Sequence, residues 1–402
     1  AEQVRQLNLN AKIILEPESR NTAPAITLSA VMMDNQDSML VLPADHVIKD
    51  KDHFVESIIR AESKLQEDYL VTFGVVPDSP HTGYGYIKKG IHESDAYKIE
   101  SFHEKPEENM ARQFYESGDY FWNSGMFLFK VSAYLSEVKN TCPEIYYNCK
   151  KSVEGIQERD NFIEIDANPF LECPNISIDY AVMEKTGAGV VIPINSDWND
   201  VGSWRALWDV SLKDENNNSI QGDVFAQGVK NSFVRGSDKL LVLNSVKDLV
   251  VVDTKDSILI SDKDDVSGLS DLMIEMKKAK RQELQLDRKV YRPWGTYENL
   301  DSGESHQVKR ITVNPGAQLS LQSHEHRSEH WTIVSGVAEV TKDKEIFTLN
   351  VNESIFIPVG SIHSLKNLMD EDLVIIEVQC GDYLGEDDIK RYEDIYGRVD
   401  KE

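Results

Sequence analysis

Residues 316–331 read GAQLSLQSHEHRSEHW, from Gly316 to Trp331, and this stretch decides the C-terminal fold. Gln322 and His324 stand two apart, so on a strand both side chains project from one face. After a turn Glu329 can re-enter that face. Thirty-four residues later, Pro358-Val359-Gly360-Ser361-Ile362-His363 supplies another histidine just past a tight turn. One amide oxygen, two imidazoles and one carboxylate form a mixed nitrogen and oxygen donor set. Such a set suits Zn²⁺ or another divalent transition ion such as Co²⁺, with positions left for water or substrate.

Working outward, strand-length segments at 307–313, 330–334, 337–341, 354–357 and 373–378 are separated by Gly- and Pro-containing turns, which predicts a small antiparallel barrel. Residues 387–398 read as a helix packed on it. Upstream, 265–287 read as one helix with Leu269, Leu272, Met273 and Met276 on one face. Between 224 and 261, β-rich runs recur about every nine residues, as in a small all-β layer or solenoid turn. The polar stretch DENNN at 214–218 marks a boundary. Before it, short apolar runs alternate with helical patterns, as expected of an α/β domain with a mostly parallel sheet. The expected division is 1–213, an α/β domain; 214–288, a β-rich connector with a helix; and 289–402, the barrel.

Acidic residues outnumber basic ones 69 to 43, a net charge of −26, and such a surface repels phosphate backbones and anionic lipid. Nucleic acid and membranes are therefore excluded as partners. Four scattered cysteines and no apolar leader point to a reducing compartment, the cytoplasm. A homo-oligomer is compatible with the sequence.

The histidine-containing segments match the cupin family. A glycine, five residues, two ligand positions separated by one, four residues, a glutamate, six residues and a glycine correspond to Gly316, Gln322, His324, Glu329 and Gly336. The second cupin segment corresponds to Pro358, Gly360, His363 and Asn367. The chain departs at two positions: Gln322 replaces the usual histidine, and Asn352 stands where a glycine is usual. The Gln-x-His pair, with YRPWGTYENL at Tyr291 and VKRITVNPGAQLSLQ at Val308, resembles type II phosphomannose isomerases. That resemblance implies metal-dependent interconversion of mannose 6-phosphate and fructose 6-phosphate. A proton then moves between C1 and C2 through an enediolate, which a divalent cation stabilises. His326, His330 and Glu325 are candidates for the base, and strand alternation turns His326 toward the metal face. Arg327, Lys309 and Arg310 are cations of the kind that hold a sugar phosphate.

In the first 210 residues, LPADH places Asp45 just beyond a strand's carboxyl end, where α/β sheets bind ligands, and WNDVGSW supplies Asp200 in a turn. Together with EPESRNTAPAI from Glu16, TGYGYI from Thr82, FHEKP from Phe102, YFWNSGMFLF from Tyr120 and SIDYAVMEKT from Ser177, these segments resemble sugar-1-phosphate nucleotidyltransferases. The more specific likeness is to the mannose-1-phosphate guanylyltransferase half of the bifunctional bacterial enzymes. The resemblance implies that Arg20, Asn21 and Thr22 help hold GTP, and that Asp45 and Asp200 bind Mg²⁺. It places Gly85, Tyr86, Glu104, Lys105, Asn123 and Asp179 around mannose 1-phosphate. Catalysis of an in-line attack on the α-phosphorus is then mostly positioning and charge neutralisation.

The family's opening glycine-rich loop has no counterpart, since no glycine precedes Gly74, and the expectation is a weak or absent transferase activity in these 402 residues. Two other readings are kept: a guanylyltransferase-type protein whose barrel only senses sugar, and a non-enzymatic sugar-binding protein.

Overall fold

The structure is a computed structural model that describes Val4, Leu7 and residues 9–159, 162–195, 197–265, 268–279, 281 and 289–393. The chain separates into two compact units, 1–211 and 212–402. Among the described residues no helix is long and apolar enough to cross a membrane.

The first unit is built on a six-stranded sheet in the order Ser38–Val41, Tyr120–Lys130, Leu70–Val75, Gly189–Ile194, Ala96–His103, Tyr86–Glu93. Every residue of Leu70–Val75 is buried, as expected of a central strand covered on both faces. One face packs Leu28, Phe129, Tyr134 and Ile145 beneath helices Thr22–Val31, Val131–Thr141 and Pro143–Ser152. The other face packs Phe54, Phe73, Tyr86, Trp122 and Ile192, partly under helix Lys51–Glu62.

The expectation of a mostly parallel sheet needs correction. Gly189–Ile194 runs parallel to Leu70–Val75, but the other pairings of this sheet are antiparallel. The physical reason is the long Tyr120–Lys130 strand. It lies between Ser38–Val41 and Leu70–Val75 and opposes both, so two strands that run the same way are not neighbours. The hairpin 86–103 adds three more antiparallel pairings, one within itself and one each to Tyr120–Lys130 and Gly189–Ile194.

The second unit begins with short parallel strands. Ser219–Gln221, Phe233–Arg235 and Leu249–Asp253 stack in register, and Val224–Gln227 pairs with Leu241–Asn244, which makes the β-rich connector a short solenoid. Its helix is described as Leu269–Lys278, and the expected extension through 282–287 lies outside the described residues. The expected apolar stripe is not buried, since Leu272 and Met273 are exposed.

The barrel joins two antiparallel sheets. One runs Lys289–Arg292, Gly295–Ser302, His306–Val313, Leu373–Gly381, Arg327–Ser335, Ser354–Ile357; the other runs Glu345–Leu349, Ala338–Lys342, His363–Asn367, Leu321–Ser323, Lys390–Glu393. Trp331, Ile333, Val340, Leu365, Leu373 and Ile375 fill the interior. Alternation sends Arg327, Glu329 and Trp331 inward from one strand, and Glu377 and Gln379 inward from its neighbour.

The helix expected at 387–398 is not formed in its described part. Glu386 and Asp387 turn, and Lys390–Glu393 is a strand paired with Leu321–Ser323, whose free edge it covers. Residues 394–398 lie outside the described residues.

Candidate functional site

The chemistry-bearing side chains gather in two places, one in each unit. In the barrel, His324, Glu329 and His363 are all buried, and each offers a ligand atom within 4.8 Å of the others. His324 Nε2 stands 3.0 Å from Glu329 Oε1, and His363 Nε2 stands 3.4 Å from Glu329 Oε2. Both rings are held from behind: His324 Nδ1 donates to the Asp388 carbonyl, and His363 Nδ1 donates to the Ser361 carbonyl at 3.0 Å. With Nδ1 donating, a neutral ring carries its lone pair on Nε2, and neither Nε2 has a hydrogen-bond partner among the described residues. Two buried lone pairs aimed at a carboxylate repel it unless a cation lies among them, so the donor set fits a divalent transition ion.

Gln322 is paired directly with His363 across the ladder, and its Oε1 accepts from Ser320 Oγ at 2.8 Å. The amide thus stands on the strand beside His363 and is orientated by a neighbour.

Behind the cluster lies a polar network that the sequence analysis missed. Trp331 Nε1 donates to Glu329 Oε2 at 3.1 Å and to Glu377 Oε1 at 3.0 Å, while Gln379 Nε2 donates to Glu329 Oε1 at 3.2 Å and Glu377 Oε2 at 2.8 Å. Burial and the Glu329 charge push Glu377 up to about 8. The only advance signal was the inward alternation of Glu377 with apolar Leu373 and Ile375.

The structure redistributes the expected isomerase residues. His326 does not reach the cluster; it is exposed, with Nδ1 3.5 Å from Asp382 Oδ1. Strand Leu321–Ser323 ends before it, so the alternation that predicted an inward His326 no longer applies. Glu325 and His330 are also exposed. Arg327 is buried, with Nε 3.4 Å from Glu329 Oε1 and Nη1 donating to Gly385 O at 2.9 Å. Lys309 is buried on Glu386 Oε1 at 2.6 Å, whereas Arg310 faces outward to Glu298 at 3.4 Å, as strand alternation requires. Arg310 therefore does not face the barrel interior.

In the first unit a cleft of about 350 Å³ is lined by Thr22, Gly85, Glu104, Lys105, Asn123, Asp179 and Asp200, which the sequence reading assigned to ligands. Asn123 Nδ2 donates to Asp179 Oδ1 at 2.9 Å, and Asn123 N donates to Gly85 O at 2.8 Å. Burial raises Asp179; burial and then Asp179 raise Glu104. Carboxylates and an amide suit the hydroxyls of a polyol, and Lys105, 3.8 Å from Glu104, adds a cation for an anionic group.

A Cβ at Gly85 would lie 2.6 Å from Glu104 Oε2, so any side chain there displaces that carboxylate. Tyr86 is turned away from the cleft instead: it is fully buried, and its hydroxyl donates to His81 O at 2.9 Å. Its position in strand Tyr86–Glu93 sends the ring into the core.

Asn21 caps helix Thr22–Val31 through Thr22 N at φ 67°, a strained backbone for a non-glycine, and Thr22 Oγ1 accepts from Ile178 N at 2.9 Å. Arg20 contacts Glu18 at 2.9 Å, and its buried Nε has no hydrogen-bond partner among the described residues. Asp45 is exposed beside the cleft, 4.0 Å from His46 Nε2, and both Asp45 and Asp200 act on the His46 ring. His46, Tyr84 and Trp198 also line the cleft, although only the segments containing them were singled out.

Comparison with known proteins follows this division. Residues 1–217 match the nucleotidyl transferase family, and residues 279–394 match the mannose-6-phosphate isomerase C-terminal family. The chain is 47% identical over 410 residues to mannose-1-phosphate guanylyltransferase of Escherichia coli (strain K12), covering 99% of this chain and 86% of that one. It is 46% identical over 404 residues to alginate biosynthesis protein AlgA of Pseudomonas syringae pv. tomato, covering 99% and 84%. Among solved structures, mannose-1-phosphate geranyltransferase from Thermus thermophilus superposes with a TM-score of 0.60 at 28% identity, over 68% of this chain and 80% of that one. With both halves matched in this order and near-complete coverage by relatives close to half identical, the chain belongs to the bifunctional mannose-1-phosphate guanylyltransferase family that carries a mannose-6-phosphate isomerase C-terminal domain.

Proposed function

We propose that the chain serves GDP-mannose synthesis through two separate sites. The barrel interconverts fructose 6-phosphate and mannose 6-phosphate, and the cleft of the first unit transfers guanylyl from GTP to mannose 1-phosphate with release of pyrophosphate. The observation that carries the reading is the pairing of a buried His324, Glu329 and His363 cluster with a cleft that gathers Glu104, Lys105, Asn123, Asp179 and Asp200.

In the barrel, Gln322, His324, Glu329 and His363 would hold Zn²⁺ or Co²⁺, which supplies Lewis-acid stabilisation of enediolate charge when bound. Trp331 and Gln379 fix the Glu329 carboxylate, and Arg327 neutralises part of its charge. In the cleft, Asn123, Asp179 and Glu104 orient sugar hydroxyls, and Lys105 meets the phosphate. Asp45 and Asp200 would hold Mg²⁺; their hard oxygen donors suit that ion, and when bound it neutralises nucleotide phosphate charge. Both substrates of the transferase and both sugar 6-phosphates are cytoplasmic metabolites, which favours the cytoplasm as the site of action.

The test is done on the 402-residue chain. Conversion of mannose 6-phosphate to fructose 6-phosphate, followed by NMR, should be lost with a chelator and with His324→Ala. Calorimetry should detect mannose 1-phosphate binding that is lost in Asn123→Ala with conversion intact. A barrel that binds sugar phosphate without converting it would replace the isomerase by a sensor. A chain that neither converts nor binds would overturn both halves.

A further inference from the structure

Tyr84 is not part of the ligand set assigned above, yet its ring and its hydroxyl are both held. Its ring stacks on His81 at a centroid distance of 4.1 Å and 17° between planes, and the edges of Trp122 and Trp198 meet it at 4.9 and 5.2 Å. Its hydroxyl lies 3.2 Å from Asp200 Oδ1 and donates to it. The same oxygen accepts from Gly202 N at 3.2 Å. Both donors fall on Oδ1, which leaves Oδ2 without a protein donor among the described residues.

The backbone beneath is also held. Val201, a β-branched residue, sits at φ 50°, and its N–H donates to Asn199 Oδ1 at 2.7 Å. A branched residue adopts that conformation only where its surroundings over-determine it. Asp200 therefore stands on a strained turn, with one of its two oxygens committed from two directions.

We propose that Tyr84 is a positioning residue for Asp200: clamped by three rings, its hydroxyl takes up Oδ1 and presents Oδ2 to a hard divalent cation. The proposal rests on the reading that Asp200 is a cation ligand. A cation ligand free to rotate must be ordered on binding, and an outer hydrogen bond that fixes it in advance raises affinity. Tyr84 also precedes Gly85, so the loop that shapes the sugar side of the cleft orients the carboxylate on its cation side.

Terbium(III) tests this without turnover. It is a hard, oxygen-seeking ion whose emission is sensitised by nearby Tyr and Trp, and Mg²⁺ should compete it away. The part of the titration signal that Asp200→Asn removes reports this site. Tyr84→Phe keeps the ring and its stacking and loses only the hydroxyl; the expected result is an affinity about tenfold weaker on that signal, with an unchanged melting temperature. His81→Ala, which loosens the ring but keeps the hydroxyl, should fall between the two and covers the case of a poorly folding Tyr84→Phe. Wild-type affinity in both variants, with the signal still lost in Asp200→Asn, would overturn the positioning role alone. An unchanged signal in Asp200→Asn would overturn the cation reading on which it stands.

Discussion

His324 Nε2 faces Glu329 Oε1 at 3.0 Å, and in the neutral ring that a metal ion requires no hydrogen lies between them, because the single ring proton goes from Nδ1 to the Asp388 carbonyl. Two acceptors held this close in a buried site raise the free energy of the metal-free protein. A bound divalent ion turns that repulsion into coordination, so the expected outcome is a metal-dependent gain in stability. At a free metal concentration of one hundred times Kd the gain is about 2.7 kcal/mol, read as a rise in melting temperature over chelated protein. His363→Ala should abolish most of the rise. An equal rise in that variant would mean that the ion binds elsewhere.

Gly85→Ala should separate binding from folding. The added methyl would meet Glu104 Oε2 at 2.6 Å and Asn123 Cβ at 3.3 Å. The carboxylate is the far end of a flexible side chain and can swing aside, so the stability cost should stay near ~1 kcal/mol, the low end of overpacking penalties. Glu104 would then be displaced from its place beside Asp179, and misplacement on the scale of about 1 Å can cost about 100-fold in a positioned site. Mannose 1-phosphate affinity by calorimetry, set beside the melting temperature, checks both parts. Unchanged affinity would show that Glu104 does not touch the sugar.

What the sequence disclosed depended on whether the chain stays regular around a residue. Glu329, Trp331 and His363 sit on continuous strands, where two-residue periodicity turns all three side chains inward. His326 failed because the strand Leu321–Ser323 ends before that position is reached, so periodicity had nothing to act on. Arg310 and Lys309 could have been told apart by alternation alone. Asn352 occupies a family glycine position and takes φ 69°, which Asn tolerates better than other side chains, so that departure leaves the turn intact. Strand direction was beyond reach, since the apolar runs of the first unit look alike whether their neighbours run with or against them. The Trp331–Glu377–Gln379 network joins two strands distant in sequence and left no local pattern.

Glu377 gives the barrel a pH dependence whose sign can be worked out. Burial first, then the neighbouring Glu329 charge, raise it to about 8 from an ordinary 4.5, while Lys309 opposes the shift. Between those values the folded state holds a proton that the unfolded chain has released, so stability is fully present below pH 4.5 and is lost as pH rises toward 8. The slope from one such group is at most about 1.4 kcal/mol per pH unit. Glu377→Gln carries no titrating proton and can still accept from Trp331. Metal-free wild type should lose stability relative to this variant between about pH 5 and 8 in denaturant titrations, and parallel curves would refute a protonated Glu377.

Asp388 ties the barrel's last described turn to the cluster by three contacts. Its Oδ1 accepts from Glu325 N at 2.9 Å, its Oδ2 accepts from His326 N at 3.2 Å, and its carbonyl holds His324 Nδ1. Arg327 Nη1 lies 3.7 Å from Oδ2 and also donates to Gly385 O, so the turn is closed from both sides. Asp388→Ala removes the carboxylate that positions this carbonyl and should loosen the His324 ring without deleting a ligand. The expected loss in metal affinity is about 10- to 100-fold, the range for outer partners of a metal-binding histidine. Asp388→Asn keeps one acceptor but sets an amide N–H against a backbone donor, so it should fall between wild type and alanine. Competition with a chromophoric chelator measures the affinities, and wild-type affinity in Asp388→Ala would show that the backbone carbonyl keeps its place without the side chain.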